Sequence, residues 1–162
     1  MRRDDNSSTW IRPRISGFTF VELIVTLLIM SILATVSTLV VANSQSRFRA
    51  DVAARGIVSA IETVRLNART TSATCRIQFN VAGNSYTLVG VANPNQSGQA
   101  YVVSLNGNVY QATLVNANLG GDSELIFSGY GVPDSGGTIQ ISSGAQTRSI
   151  SVDATTGKAT IL

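Results

Sequence analysis

The most constraining feature of this sequence is an uninterrupted apolar segment near its N-terminus. Residues 18–42 contain a single charged side chain, Glu22, and the twenty residues from Leu23 to Ala42 contain none. As a helix, those twenty residues would span roughly 30 Å, which is the thickness of the hydrocarbon core of a bilayer. The apolar core of a secretory signal is shorter, about 7–15 residues. The sequence therefore predicts a membrane-spanning helix over residues 18–42.

The helical pattern continues beyond the apolar segment. No proline occurs between Pro13 and Pro94. Apolar residues recur at spacings of three and four, which is typical of one helical face: Ala50, Ala54, Ile57, Ile61, Val64 and Ala68. We expect one helix from about Phe18 to about Thr70, with a transmembrane half over 18–42. Its amphipathic half, over 43–70, should pack its apolar stripe on a folded head.

The composition changes after Thr71, where twelve of the fourteen glycines lie. Short alternating runs between turn signals predict β-strands. They are Cys75–Val81, Tyr86–Val91, Ala100–Leu105, Val109–Leu114, Glu124–Phe127, Thr138–Ser142, Ser149–Asp153 and Ala159–Leu162. Tight turns are expected at Gly83-Asn84, Asn106-Gly107 and Thr156-Gly157, of which Asn-Gly is the strongest hairpin signal. The predicted fold is α+β, a long N-terminal helix on a small antiparallel β head over 71–162.

The composition also argues against most enzymes. The chain has no histidine and one cysteine, Cys75. It therefore cannot form a histidine-based catalytic triad, a histidine metal site or an internal disulfide. Four oxygen-bearing residues fit no calcium-binding loop: Asn116, Asn118, Asp122 and Glu124. We expect no metal, no cofactor and no small-molecule substrate.

Cys75 shares one face of its predicted strand with Ile77 and Phe79. This pattern predicts a buried, unreactive thiol. The glycines from Gly129 to Gly137 lack the lysine that a phosphate-binding loop requires, and they predict an ordinary loop.

Glu22 is anomalous in an apolar helix. A carboxylate near the start of a lipid-buried helix costs about 2–3 kcal/mol or more unless it is paired. No basic residue lies within the apolar segment, so the partner must come from outside the helix or from processing. Cleavage after Gly17 would create an α-amine on Phe18, about 6 Å from Glu22 along the same helix. Between two helices offset along a shared axis, the amine of one can meet the carboxylate of the next, and this pair would define their register.

The segment Ile15-Ser16-Gly17-Phe18-Thr19-Phe20-Val21-Glu22 resembles the prepilin signature shared by type IV pilins and type II secretion pseudopilins. The resemblance implies that a membrane aspartyl peptidase removes the leader, residues 1–17, by cutting after Gly17. It also implies that Phe18 becomes the N-methylated N-terminus and that Glu22 is the assembly glutamate. The implied partners are this prepilin peptidase, the membrane and other pilins in a helical filament.

A second resemblance concerns the C-terminal part of the chain. Leu125–Gly131, Thr138–Ser142, Arg148–Val152 and Thr156-Gly157-Lys158 resemble the C-terminal block of the H-type minor pseudopilins, a group that includes the FimT-like pilus proteins. This resemblance implies a minor pseudopilin of a type II secretion system or of a related pilus. The chain would cross the bacterial inner membrane once, with its β head in the periplasm or outside the cell.

Three alternatives remain at this stage. One is a membrane-anchored binding protein that never assembles and that would tolerate Glu22→Ala. Val40-Val41-Ala42 also resembles a signal peptidase site, and cleavage there would leave a secreted β domain that starts at Asn43. Some FimT-like relatives act in DNA uptake through a basic C-terminal region. Here that region offers only Arg148 and Lys158, and residues 71–162 carry three basic against four acidic side chains. A DNA-binding minor pilin is therefore the alternative function.

Overall fold

The computed structural model describes the chain from Gly17 onward, with the side chains of residues 35–43 left out. The predicted leader, apart from Gly17, lies outside the described residues. Residues 17–162 contain one helix and eight strands: α1 (Phe20–Thr71), β1 (Cys75–Asn80), β2 (Ser85–Val89), β3 (Tyr101–Ser104), β4 (Thr113–Leu119), β5 (Glu124–Phe127), β6 (Gly137–Ser143), β7 (Gln146–Val152) and β8 (Ala159–Ile161). The predicted α+β class is confirmed. The chain divides into two compact units, the first ending at Thr38 and the second spanning Leu39–Leu162.

In the first unit, α1 begins at Phe20, two residues later than predicted. The reason is Thr19, which acts as the N-cap: its Oγ1 accepts a hydrogen bond from the Glu22 backbone N–H at 3.3 Å. Its carbonyl oxygen accepts the first intrahelical bond from the Leu23 N–H at 3.2 Å. In the part of the chain that the structure describes, no helix is long and apolar enough to cross a membrane. The predicted segment 18–42 extends into residues 35–43, whose side chains lie outside the described residues.

In the second unit, the apolar stripe of α1 is buried as predicted. All six residues that define it have no exposed surface. Ala53 and Ala60 extend the stripe, and their small side chains let the helix lie close to the strands. The helix ends in a Schellman motif, in which the Ala73 N–H donates to the Ala68 carbonyl oxygen at 3.2 Å and Ser72 takes a left-handed conformation with φ of 51°.

The strands form two four-stranded antiparallel sheets, ordered β3-β2-β1-β5 and β4-β6-β7-β8. The prediction of one small sheet was therefore incomplete. The alternating burial of β1, with Cys75, Ile77 and Phe79 inward, gives the first sheet its inner face. Ile139, Ile141 and Ile150 provide the inner face of the second sheet. Both faces and the helix stripe contribute to a single hydrophobic core.

The predicted hairpin at Asn106-Gly107 was wrong. β3 and β4 belong to different sheets, and residues 105–112 form the connection between them. Val109 and Tyr110, predicted to begin a strand, lie in this connection, and β4 begins at Thr113. The turns at Gly83-Asn84 and Thr156-Gly157 are confirmed, because they join β1 to β2 and β7 to β8.

Buried Asn84 determines the path of this connection. Its Nδ2 donates to the Ala112 carbonyl oxygen at 2.8 Å and also to Asn106 Oδ1. Its Oδ1 accepts a hydrogen bond from the Leu114 N–H at 2.5 Å. Its own carbonyl oxygen accepts from the Leu105 N–H at 3.0 Å. One side chain in the β1–β2 turn thus satisfies backbone groups at the start of the second sheet.

Candidate processing and assembly site

The junction between Gly17 and Phe18 lies outside the helix. Both residues precede the N-cap, both are exposed, and the phenyl ring of Phe18 is 74% exposed. A Cβ built on Gly17 would meet no atom within 4 Å. The chain itself therefore has room for a larger side chain at Gly17. Any requirement for glycine at this position must come from an enzyme that binds the junction.

Glu22 lies in the first turn of α1, with its side chain exposed. Its negative charge there is favourable, because the positive end of the helix dipole and the free N–H groups point toward it. Among the described residues Glu22 has no ion-pair partner. Thr19 and Glu22 have the spacing of a capping box, a signal that sequence reasoning could have used to place the helix start. The Glu22 carboxylate is thus exposed in the first turn of α1, without an ion-pair partner among the described residues.

The surface around Glu22 is apolar on all sides of the helix. Exposed large hydrophobic side chains run from Phe18 to Leu33, including Phe20 at 78% and Met30 at 69%. A helix that is hydrophobic all round is normally buried in lipid or among other helices. This surface surrounds the only carboxylate of residues 17–34.

The structure does not bring Arg148 and Lys158 together as a basic site. Arg148 Nε donates to Asp51 Oδ1 at 3.1 Å, joining β7 to α1, and its Nη1 donates to the Thr147 carbonyl oxygen at 3.2 Å. Lys158 lies near the other end of β7, where its carbonyl oxygen accepts from the Asp153 N–H at 3.0 Å. The five residue steps from Arg148 to Asp153 separate the two ends by about 16 Å along the strand.

The two carboxylates near these basic residues have lowered pKa values. The hydrogen bond from the Arg148 guanidinium is the largest effect on the pKa of Asp51 and lowers it; burial opposes this lowering, and Arg55 adds to it. The backbone N–H of Thr156, followed by its hydroxyl, lowers the pKa of Asp153. Both carboxylates are therefore ionised at neutral pH, and Arg148 serves an internal ion pair.

Three of the four oxygen-bearing residues considered for calcium have internal partners. Asn118 Oδ1 accepts from the Gly121 N–H at 3.1 Å, and Asp122 Oδ1 accepts from the Glu124 N–H at 3.0 Å. Glu124 pairs with Arg76 at 3.2 Å. Across residues 17–162, no group of three cysteine or acidic side chains is arranged to hold a metal ion.

Cys75 is buried, as predicted, and forms no disulfide. Asn67 Nδ2 lies 3.4 Å from its Sγ, and Gly90 packs so closely that a Cβ there would lie 2.8 Å from the sulfur. The thiol is thus enclosed by α1 and the end of β2.

Comparison with known proteins defines the class of the N-terminal region. Residues 12–38 match the family model of the prokaryotic N-terminal methylation motif, and this range contains Gly17, Phe18 and Glu22. The match confirms the prepilin-type N-terminal methylation motif in this part of the chain. The H-type subgroup is not distinguished by it.

A solved structure with a similar fold is the type IV minor pilin FimU of Pseudomonas aeruginosa. The similarity has a TM-score of 0.49 at 15% sequence identity, and it covers 72% of this chain and 90% of that one. No curated protein sequence matches this chain.

Proposed function

We propose that this chain is a minor subunit of a pilus-like filament, of the H-type found in type II secretion pseudopili. The observation that carries the proposal is the N-terminal methylation motif at residues 12–38, which leads into a helix with an exposed apolar surface and one exposed carboxylate. Neighbouring helices, and lipid before assembly, would cover that surface. The protein would act by assembly and not as an enzyme.

The first step is processing of the precursor. The position of the Gly17–Phe18 bond supports it, because this bond is exposed and precedes the Thr19 cap, so that a peptidase can reach it without unwinding α1. The test is intact mass and N-terminal sequencing of the protein recovered from the membranes of its own host. We expect a chain that begins at N-methylated Phe18. A chain that begins at Asn43 would refute the pilin-type function and leave a secreted β domain.

The second step is pairing of Glu22 with the amine of a neighbouring subunit. Within one chain, Phe18 precedes the Thr19 cap, so α1 does not hold its amine beside the Glu22 carboxylate. An axial offset between subunits would bring the amine of one to the carboxylate of the next. Each charge is costly in an apolar bundle unless it is paired.

The assembly test compares Glu22→Ala with Glu62→Ala, a matched loss of one carboxylate on the same helix. Glu62 is paired with Arg65 at 3.1 Å and belongs to the amphipathic half. Glu22→Ala should be cleaved normally but recovered from sheared filaments at least about tenfold less than wild type, since an unpaired buried amine remains. Glu62→Ala should assemble. Incorporation of both variants at the wild-type level would refute the pairing.

The DNA-binding alternative has less support. Arg148 is committed to Asp51, and Lys158 lies at the other end of β7. If the chain nevertheless binds DNA through these residues, Lys158→Glu should reduce a salt-sensitive affinity for duplex DNA.

To decide between a secretion pseudopilus and a pilus, a deletion strain is assayed in parallel for protein secretion and for surface pili. We expect secretion to be lost.

A further inference from the structure

An arginine at the end of α1 forms no ion pair with a described carboxylate, and it lies beside a cavity. Arg69 is in the last turn of α1, and its side chain is exposed. Together with Ser72, Ser128, Gly129 and Tyr130 it lines an open cavity of about 480 Å³. These residues, called here the Arg69 pocket, come from the helix end and from the loop that follows β5.

The loop is seated firmly on the helix end. A Cβ on Gly129 would lie 2.7 Å from the backbone of Ser72, and one on Gly131 would lie 2.5 Å from the Arg69 side chain. Gly131 also has a φ of 73°, and its N–H donates to the Ser128 carbonyl oxygen at 2.7 Å. The aliphatic part of Arg69 therefore lies against Gly131, which orients its guanidinium before any ligand arrives.

No carboxylate between residues 51 and 162 pairs with Arg69, and each of them has another partner. Between residues 51 and 162 these partners are Arg55 and Arg148 for Asp51, Arg65 for Glu62, Arg76 for Glu124, and backbone N–H groups for Asp122, Asp134 and Asp153. In the same range only Arg69 and Lys158 are left without a carboxylate. An anion for the Arg69 pocket must therefore come from another molecule.

The remaining groups of the pocket suit a protein carboxylate. Gly129 and Tyr130 line the same cavity as Arg69, and their backbone N–H groups donate to no acceptor among the described residues. The Tyr130 side chain is 88% exposed on this anchored loop. Tyrosine and arginine together, on a rigid support, are the residues most enriched at the centres of protein interfaces.

We propose that the Arg69 pocket binds an aspartate or glutamate side chain of a neighbouring filament subunit, with Tyr130 packing beside it. This inference rests on the proposed function, and it assigns a contact of the head that is separate from the Glu22 pair. The guanidinium would donate two parallel hydrogen bonds to the carboxylate, the strong form of this ion pair.

The test compares Arg69→Gln with Lys158→Gln, which removes a cation of the head that also lacks a carboxylate partner. Each full-length variant is expressed in its host, its cleavage is checked by mass, and its amount in sheared filaments is measured. Arg69→Gln should lower incorporation about five- to tenfold without changing the unfolding temperature, because an exposed side chain is altered. Lys158→Gln should match wild type, and Tyr130→Ser should lower incorporation as Arg69→Gln does.

The outcomes separate this inference from the proposed function. If wild type is in filaments and Arg69→Gln enters them equally well, the pocket assignment is wrong and the filament role stands. If wild type is absent from filaments, the proposed function fails, and the inference fails with it. A third arm measures fluorescence anisotropy of a labelled single-stranded DNA with the full chain in detergent. If the DNA binds to wild type and to Lys158→Gln but not to Arg69→Gln, the ligand of the Arg69 pocket is a phosphate, and the carboxylate assignment is wrong. If the DNA does not bind to wild type, the result supports the carboxylate assignment.

Discussion

Replacement of Asn84 by alanine should be among the most destabilising single changes in the head. The side chain satisfies the Ala112 carbonyl oxygen and the Leu114 N–H, and both of these residues are buried, at 2% and 1% exposure. A buried backbone group without a partner costs about 1–2 kcal/mol. Loss of the Asn106 contact adds about 0.5–1 kcal/mol. Because Asn84 has a φ of 50°, alanine also adds about 1 kcal/mol of backbone strain.

The sum predicts a loss of about 3–6 kcal/mol in the free energy of unfolding, a large part of the 5–15 kcal/mol typical of a domain. The unfolding temperature should fall by roughly 10–25 °C. The assay is thermal and urea unfolding of the full chain in detergent, followed by far-ultraviolet circular dichroism. The matched control is Asn80→Ala in the same turn, where an exposed Oδ1 accepts one hydrogen bond from Gly83 at 2.8 Å. That variant should lose about 1 kcal/mol or less.

Asn84→Gly separates the two contributions, because glycine tolerates the positive φ but makes none of the side-chain hydrogen bonds. The free energy of unfolding of Asn84→Gly should be about 1 kcal/mol higher than that of Asn84→Ala and still well below that of Asn80→Ala. If the free energies of unfolding of Asn84→Ala and Asn80→Ala differ by less than about 1 kcal/mol, the reasoning from buried backbone groups is refuted.

Three further changes test other parts of the fold. Ser72→Gly should raise the free energy of unfolding by about 0.5–1 kcal/mol in urea titrations, because Ser72 has a φ of 51° at the helix end; a decrease would contradict this reading. Gly157→Ala should cost about 2–4 kcal/mol, since its Cβ would lie 2.5 Å from Phe127 Cε1 in the core and its φ is 67°. The contribution of Asp51 to the free energy of unfolding depends on pH. Because the pKa of Asp51 is lower in the folded state, its ionised carboxylate stabilises the fold at pH values above the ordinary pKa of 3.8. This stabilisation is lost as the pH falls below that value. Unfolding of Asp51→Asn between pH 2 and pH 7 should therefore vary less with pH than that of wild type, and equal slopes would contradict the assignment.

Local signals in the sequence predicted the parts of the fold that depend on neighbouring residues. The spacing of Ala50, Ile57 and Val64 predicted the buried face of α1, because a helix of 3.6 residues per turn places them on one side. Alternating residues predicted seven of the eight strands to within a few residues, since successive side chains of a strand point to opposite faces. The Thr19–Glu22 capping pattern was also present in the sequence, and it explains why the helix begins at Phe20.

The same signals failed where a distant residue decides the conformation. Asn106-Gly107 predicted a hairpin, but Asn84 binds the 105–112 connection from another turn and directs it to the second sheet. Alternation along a strand does not encode which strand lies beside it, so the division into two sheets could not be read from the pattern.

The sequence by itself determined the α+β class, the N-terminal motif that contains Gly17, Phe18 and Glu22, and the apolar stripe of the helix. These features depend on short-range periodicity and on residues that are adjacent in the chain. Only the tertiary structure decided that Arg148 pairs with Asp51, 97 residues away, and that the loop after β5 packs on the helix end beside Arg69. Such contacts depend on how separate elements share one core, because packing brings together side chains that no local pattern relates.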